Sequence, residues 1–213
     1  MDWQFKTRPA RLALLAVGFV LVFSIGALAQ IGQGKRTWSF ESDAVGQIAR
    51  GFTNDVGRWE VVKDGDNQGL AQRAESDDDT FNVALAEGTN YKDLDLSVRL
   101  RAVAGALDRG GGLVWRARDA KNYYIARYNP LEDNFRVYKV EAGKRTQFQS
   151  AMIPGDLKWH TLRVTMNGSR IACYLDGTKY LEADDPTFPG AGRIGLWSKA
   201  DAQSYFDDLT VSE

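Results

Sequence analysis

The chain's one histidine and one cysteine, His160 and Cys173, both fall in WHTLRVTMNGSRIACYLDG, residues 159–177. A cysteine beside a histidine is the minimum set for thiolate chemistry, the ring taking the thiol proton. The local pattern argues against that chemistry. Apolar residues alternate, so parity sets His160 on the face of Leu162, Val164 and Met166, and Cys173 on the face of Ile171 and Leu175. Both point into apolar company, and no second histidine exists to complete a metal site. The pair reads as scaffold, a hydrogen-bonded histidine at a core edge and a buried thiol.

Carboxylates are the other candidates. Two acids about 5–5.5 Å apart, or about 6.5–9.5 Å apart, can cleave a glycosidic bond. The nearest pairings here are Asp93 with Asp95 and Asp207 with Asp208. The first pair opens a strand beside Ser97 and Arg99, where salt bridging is the expected role. Strand parity sends Asp207 and Asp208 to opposite faces, which denies them joint action on one bond. The run Ser76-Asp77-Asp78-Asp79 reads as a solvated turn.

The elements that would position these residues are strands. Gly, Asn and Asp punctuate period-two alternation about every ten residues, and no helix is expected past residue 30. DLDLSVRLRA (93–102) is the clearest case, with Leu94, Leu96, Val98 and Leu100 on one face. Further strands are expected at 37–41, 58–62, 69–73, 81–85, 112–118, 122–129 and 135–141. The series continues at 146–150, 159–166, 170–176, 178–183, 193–199 and 204–211. So many strands are too many for one open sheet and imply two packed antiparallel sheets, one all-β jelly-roll sandwich spanning residues 30–213. Asn167-Gly168 and Asp176-Gly177 are read as tight type I′ hairpin turns.

Residues 1–29 read as a secretory signal peptide. Lys6, Arg8 and Arg11 precede the apolar run Leu12 to Ile25, and Ala27-Leu28-Ala29 sets cleavage before Gln30. The run is short for a permanent membrane span, so a secreted or periplasmic location without lasting membrane insertion is expected. Beyond it stand 24 basic and 27 acidic residues with no Lys/Arg block, which points away from a nucleic-acid partner.

W-H-x-L-x-V, an Asn-Gly turn and Y-L-D-G in this hairpin resemble laminin G and concanavalin A-like jelly-roll proteins. FESDAVGQIARGF, GGLVWRARDAKNYYIARYNPLEDNFRVYKV and RIGLWSKADAQSYFDDLTV extend the likeness to secreted bacterial domains of the 3-keto-disaccharide hydrolase type, from about Trp38 to Val211. The resemblance implies a lectin or glucanase fold, with a hydrolase of (keto-)disaccharides or a laminin G-type protein-binding module as alternatives to a lectin. The E-x-D-x-x-E pattern of family 16 glucanases is absent, so no catalytic residue is carried over and the reading leans away from an enzyme.

Parity then separates the faces of the central strands. Leu113, Trp115, Ala117, Tyr123, Ile125, Phe135 and Val137 are read as core, with Arg127 sitting awkwardly among them. The opposite set is Arg116, Arg118, Tyr124, Tyr128, Arg136 and Tyr138, joined by Trp197 and Lys199 of the later strand. Aromatic planes with guanidinium and hydroxyl groups suit a sugar, so this set is the expected carbohydrate-binding face. Glu41 or Asp43 near one end and Asp207 near the other are expected to hold a structural Ca²⁺, if first and last strands are neighbours.

Overall fold

The computed structural model describes residues 1–3 and 34–213. The apolar run and the cleavage site expected before Gln30 lie outside the described residues. Contacts divide the chain into Met1–Ile31 and Gly32–Glu213, and the second unit is all β.

Its first strands are β1 (Arg36–Trp38), β2 (Phe52–Val56), β3 (Trp59–Asp64), β4 (Asn67–Gln72), β5 (Phe81–Ala86) and β6 (Leu94–Ala104). The middle ones are β7 (Gly111–Asp119), β8 (Asn122–Asn129), β9 (Asn134–Glu141) and β10 (Lys144–Met152). The last are β11 (His160–Asn167), β12 (Arg170–Leu175), β13 (Thr178–Asp184), β14 (Arg193–Lys199) and β15 (Gln203–Ser212).

Two antiparallel sheets form the expected sandwich. One runs β13-β12-β11-β6-β15-β4-β3, and the other β10-β9-β8-β7-β14-β5-β2. The terminal strands are neighbours, because β1 pairs with the second half of β15 while β4 pairs with its first half. The strand absent from the sequence reading is β2, whose segment FTNDV breaks alternation at a register shift between Asn54 and Val56.

Between the sheets lie Leu94, Leu96, Val98 and Leu100 of β6, Leu162, Val164 and Met166 of β11, and Ile171 and Cys173 of β12. Leu113, Trp115, Phe135 and Val137 meet them from the other sheet. Trp115 stacks on Tyr124 at 5.6 Å, and its Nε1 donates to the Met166 sulfur at 3.0 Å. Each such apolar side chain contributes roughly 1.5–3 kcal/mol through burial.

The turns separate by type. Leu175 pairs with Thr178 across Asp176 (φ 49°) and Gly177 (φ 81°), the type I′ geometry expected there. Asn167 instead pairs with Arg170, so the first turn is Gly168-Ser169. Gly168 alone has positive φ (59°), the signature of a II′ turn rather than the Asn-Gly I′ turn expected.

Candidate functional site

Strand β8 decides which residues can form a site. Its register sets Tyr124 opposite Trp115 and Ala126 opposite Leu113, so Tyr124, Ala126 and Tyr128 face the core. Tyr123, Ile125 and Arg127 face away from the other sheet. That inverts the parity read from sequence for this strand. The tyrosines tolerate the core because their tips reach loops at its margins. The Tyr124 hydroxyl donates to Asp185 Oδ1 at 2.7 Å and accepts the Phe188 N–H at 3.1 Å, while Tyr128 accepts the Asp156 N–H at 3.2 Å.

Arg116, also expected on the ligand face, is a buried strut. It interrupts β7 with φ 46°, and its guanidinium donates to the carbonyls of Lys92 (2.6 Å), Phe188 (2.8 Å) and Gly168 (2.7 Å). Asp93 Oδ1 lies 3.3 Å away, so Asp93 pairs with this arginine and donates nothing to a carboxylate pair with Asp95, which binds Arg163. Burial pulls the Arg116 pKa down, with Asp93 opposing. Arg118 is exposed and lies over the Phe188 ring at 5.1 Å.

The outward face of the seven-stranded sheet brings together the remaining candidates. Tyr138, Trp197, Tyr123, Val114, Ile125 and Val140 form an aromatic and aliphatic floor, with Phe81 beside it. Trp197 Nε1 donates to the Tyr123 hydroxyl at 3.2 Å, and burial drives that phenol's pKa up. Arg145 of β10 lies over Tyr138 (4.6 Å), Phe81 (5.2 Å) and Trp197 (5.8 Å).

At one end of this floor the sheet carries a polar cluster that sequence reading missed. Arg127, 1% exposed, donates to Asp108 Oδ2 at 3.1 Å, Glu132 Oε2 at 2.7 Å and Asn134 Oδ1 at 3.0 Å. Asn129 Nδ2 holds the other Asp108 oxygen at 3.0 Å. Arg136 reaches Glu132 at 3.0 Å and Ser150 at 3.1 Å, and Lys199 pairs with Asp78 of the loop 74–80. Backbone proximity makes room: Gly112 faces Arg127 in the ladder, and a Cβ there would stand 2.2 Å from the Ala126 carbonyl oxygen.

Two loops hold the cluster in shape. Asn129 Oδ1 accepts the N–H groups of Leu131 and Glu132, fixing the β8–β9 turn. Asp201 accepts N–H groups from Ala106, Leu107 and Asp108 at 2.7–3.0 Å, fixing the β6–β7 loop. Burial raises the Asp108 pKa against the pull of Arg127. Glu132 goes the other way: burial opposes its charge, but Asn134 and the guanidinium groups of Arg127 and Arg136 hold it at about 2. In this cluster, three donors remain buried without an acceptor: Arg127 Nε, Arg145 Nη1 and the Tyr138 hydroxyl. The sequence clue was Arg127 itself, a charge on a face assigned to the core.

The only histidine is a clasp. Its Nδ1 lies 2.7 Å from Asp176 Oδ2 and its Nε2 2.9 Å from Asp156 Oδ1, with the ring edge-on to Tyr128 at 4.9 Å. Burial lowers its pKa, but the two carboxylates outweigh burial and the net shift is upward. Cys173 is fully buried, and burial pushes its thiol far up, which removes the nucleophile.

The carboxylates expected to hold calcium are spent on protein groups. Asp43 binds Arg50 at 2.7 Å and Glu41 accepts the Gln68 N–H at 3.0 Å. Asp207 accepts from Asn67 at 3.0 Å and Arg99 at 3.3 Å. Asp208 has φ 49°, and this bulge turns both Asp207 and Asp208 toward Arg99 instead of to opposite faces. Among the described residues no group of three or more His, Cys, Asp or Glu side chains is placed to hold a metal ion.

A cavity of about 630 Å³ lies away from this cluster against β11, β12 and β13, lined by Thr165, Asn167, Arg170, Glu182, Asp184 and Gln149 among others. It contains none of the three unsatisfied donors, so the polar cluster is the stronger candidate site.

Two packed antiparallel sheets with an aromatic floor and polar rim define a concanavalin A-like sandwich, a class that hosts several functions. Within that class the chain belongs to the 3-keto-alpha-glucoside-1,2-lyase-like domain family, whose model matches residues 38–212. The levanase of Bacillus subtilis (strain 168) is 29% identical over 166 residues, covering 75% of this chain and 22% of the levanase. The chain therefore spans under a quarter of that relative's length. The carbohydrate-binding module CBM66 of Bacillus subtilis superposes with a TM-score of 0.68 at 25% identity, covering 76% of this chain and 96% of the module. A Bacillus subtilis protein of galectin-like fold superposes with a TM-score of 0.63 at 11% identity, covering 85% and 96% of the two chains.

Proposed function

We propose that this chain is a carbohydrate-binding module acting outside the cytoplasm, with its sugar seated against the polar rim formed by Arg127, Glu132, Arg136, Tyr138, Arg145 and Lys199. The observation that carries the reading is the set of buried donors without acceptors at one end of an aromatic floor. Such donors are costly when unmet, by roughly 1–3 kcal/mol each, and sugar hydroxyls would satisfy them. The match to nearly the whole of a binding module supports the same reading. A glycan array read alongside affinity electrophoresis tests it. Tyr138→Phe keeps the ring and removes the hydroxyl, so it should weaken binding at least threefold. Unchanged binding would exclude Tyr138 from the site.

The family's description favours a second reading, cleavage of 3-keto-glucosides. Here the chemistry is thinly equipped. Glu132, held at about 2, is charged at neutral pH but a weak base, and Asp108 is tied to Arg127 and Asn129. Incubation with a 3-keto-α-glucoside, followed by assay for released sugar, decides between the readings. Turnover that disappears in Glu132→Gln would make this an enzyme.

A further inference from the structure

Among the rim cations one stands apart. Arg127 has Asp108, Glu132 and Asn134, Arg136 has Glu132 and Ser150, and Lys199 has Asp78. Arg145 has three aromatic rings and, among the described residues, no oxygen acceptor for its guanidinium. Ring faces stabilise a cation by about 0.5–2 kcal/mol, but they accept no in-plane N–H bond. A half-buried guanidinium therefore keeps its directional donors unused.

The surrounding carboxylates form no hydrogen bond to the Arg145 guanidinium. Asp108 is divided between Arg127 and Asn129, and Glu132 between Arg127, Arg136 and Asn134. Four cations thus face three carboxylates, Asp108, Glu132 and Asp78, and the surplus positive charge is that of Arg145. Beneath it sits the unpartnered hydroxyl of Tyr138, in a residue only 3% exposed. A planar fork of donors with a neighbouring hydroxyl matches an oxyanion, which takes two parallel N–H bonds from one guanidinium.

We propose that the ligand is an acidic glycan and that Arg145, with the Tyr138 hydroxyl, receives an oxyanion carried by the sugar, a uronate carboxylate or a sulfate ester. This rests on the carbohydrate-binding reading and narrows it to a charge class. The rings of Tyr138, Phe81 and Trp197 hold the guanidinium plane in place, so its donors are oriented before the ligand arrives.

The test measures affinity by calorimetry for two matched pairs of probes: oligogalacturonate with its methyl ester, and dextran sulfate with dextran. The unaltered protein should bind at least one charged member ten or more times more tightly than its neutral partner. Arg145→Gln should erase that preference while its Tm stays within a few degrees. Discrimination in the first pair identifies a carboxylate and in the second a sulfate. Arg145→Lys keeps the charge but not the fork, and should retain only part of the preference. The ester comparison is made on the unaltered protein, so it holds even where a variant fails to fold. Equal affinity for charged and neutral members would overturn the acidic-glycan inference while leaving carbohydrate binding intact. Failure to bind any glycan on the array or any of these probes would overturn both.

Discussion

Replacing Arg116 with Met separates a structural from a ligand-binding role. The side chain donates three short hydrogen bonds to carbonyls from three separate segments, at Lys92, Gly168 and Phe188, and a longer one to Asp93. Hydrogen bonds to a charged group contribute about 1.5–3 kcal/mol each, so three would sum to roughly 5–9 kcal/mol if they were additive. Two corrections reduce that figure. Burial already penalises the guanidinium, and a 170 Å³ cavity bounded by Lys92, Gly168, Ser169, Pro186 and Pro189 lets water reach the freed carbonyls. A net loss of about 3 kcal/mol is expected, comparable to breaking other buried charged networks. For a domain of this size that lowers Tm by about 6–12 °C. Calorimetry and urea titration would measure it. Arg116→Lys should recover little, because one ammonium cannot reach three carbonyls together. A loss below about 1 kcal/mol would refute the strut. Weakened glycan binding at unchanged Tm would instead return Arg116 to the binding face.

Three further outcomes are expected. Because His160 has its pKa raised above 6.5, its contribution to stability is complete below pH 6.5 and is lost as pH rises through the folded-state value. Tm should therefore fall across that window, and His160→Gln should flatten the profile; an unchanged slope would show that the two carboxylates do not grip a proton. Asp201→Ala removes the acceptor for three N–H groups and should cost about 1–2 kcal/mol while loosening the loop that carries Asp108. Glycan affinity should drop with it, and preserved affinity would detach Asp108 from the site. Calcium and EDTA should leave Tm equal within error, since Asp43, Glu41 and Asp207 are already paired; a rise with calcium would show that these acids rearrange around the ion.

Much of the fold is legible because alternation survives wherever one face is core and the other solvent, as in Leu94–Ala104, whose burial alternates almost without break. Asp176-Gly177 is legible because only residues that tolerate positive φ fit a I′ turn. Strand β8 defeats the same logic. With both its faces buried, NYYIARYN offers no polar-apolar contrast, and its tyrosines look wet although their rings are core. The Arg116 bulge added a second break in parity on the preceding strand. The site cluster was hidden for another reason: Asp108 and Glu132 sit in loops, and Arg145 lies on an edge strand. Only pairing across the sheet brings them beside Arg127, and no periodicity within one segment encodes that.

The position of β15 sets the timing of assembly. It inserts between β6 on one side and β4 and β1 on the other, so the fifteenth strand is central to its sheet. Until residues 203–212 emerge, β6 lacks a neighbour along one whole side and the core residues Leu96 and Leu100 lack the cover of Val211 and Phe206. Such non-local closure is slow, because the loop entropy is spent before the contacts form. The sheet that holds β6 is therefore completed only when β15 pairs, which makes that pairing the closing step of the sandwich.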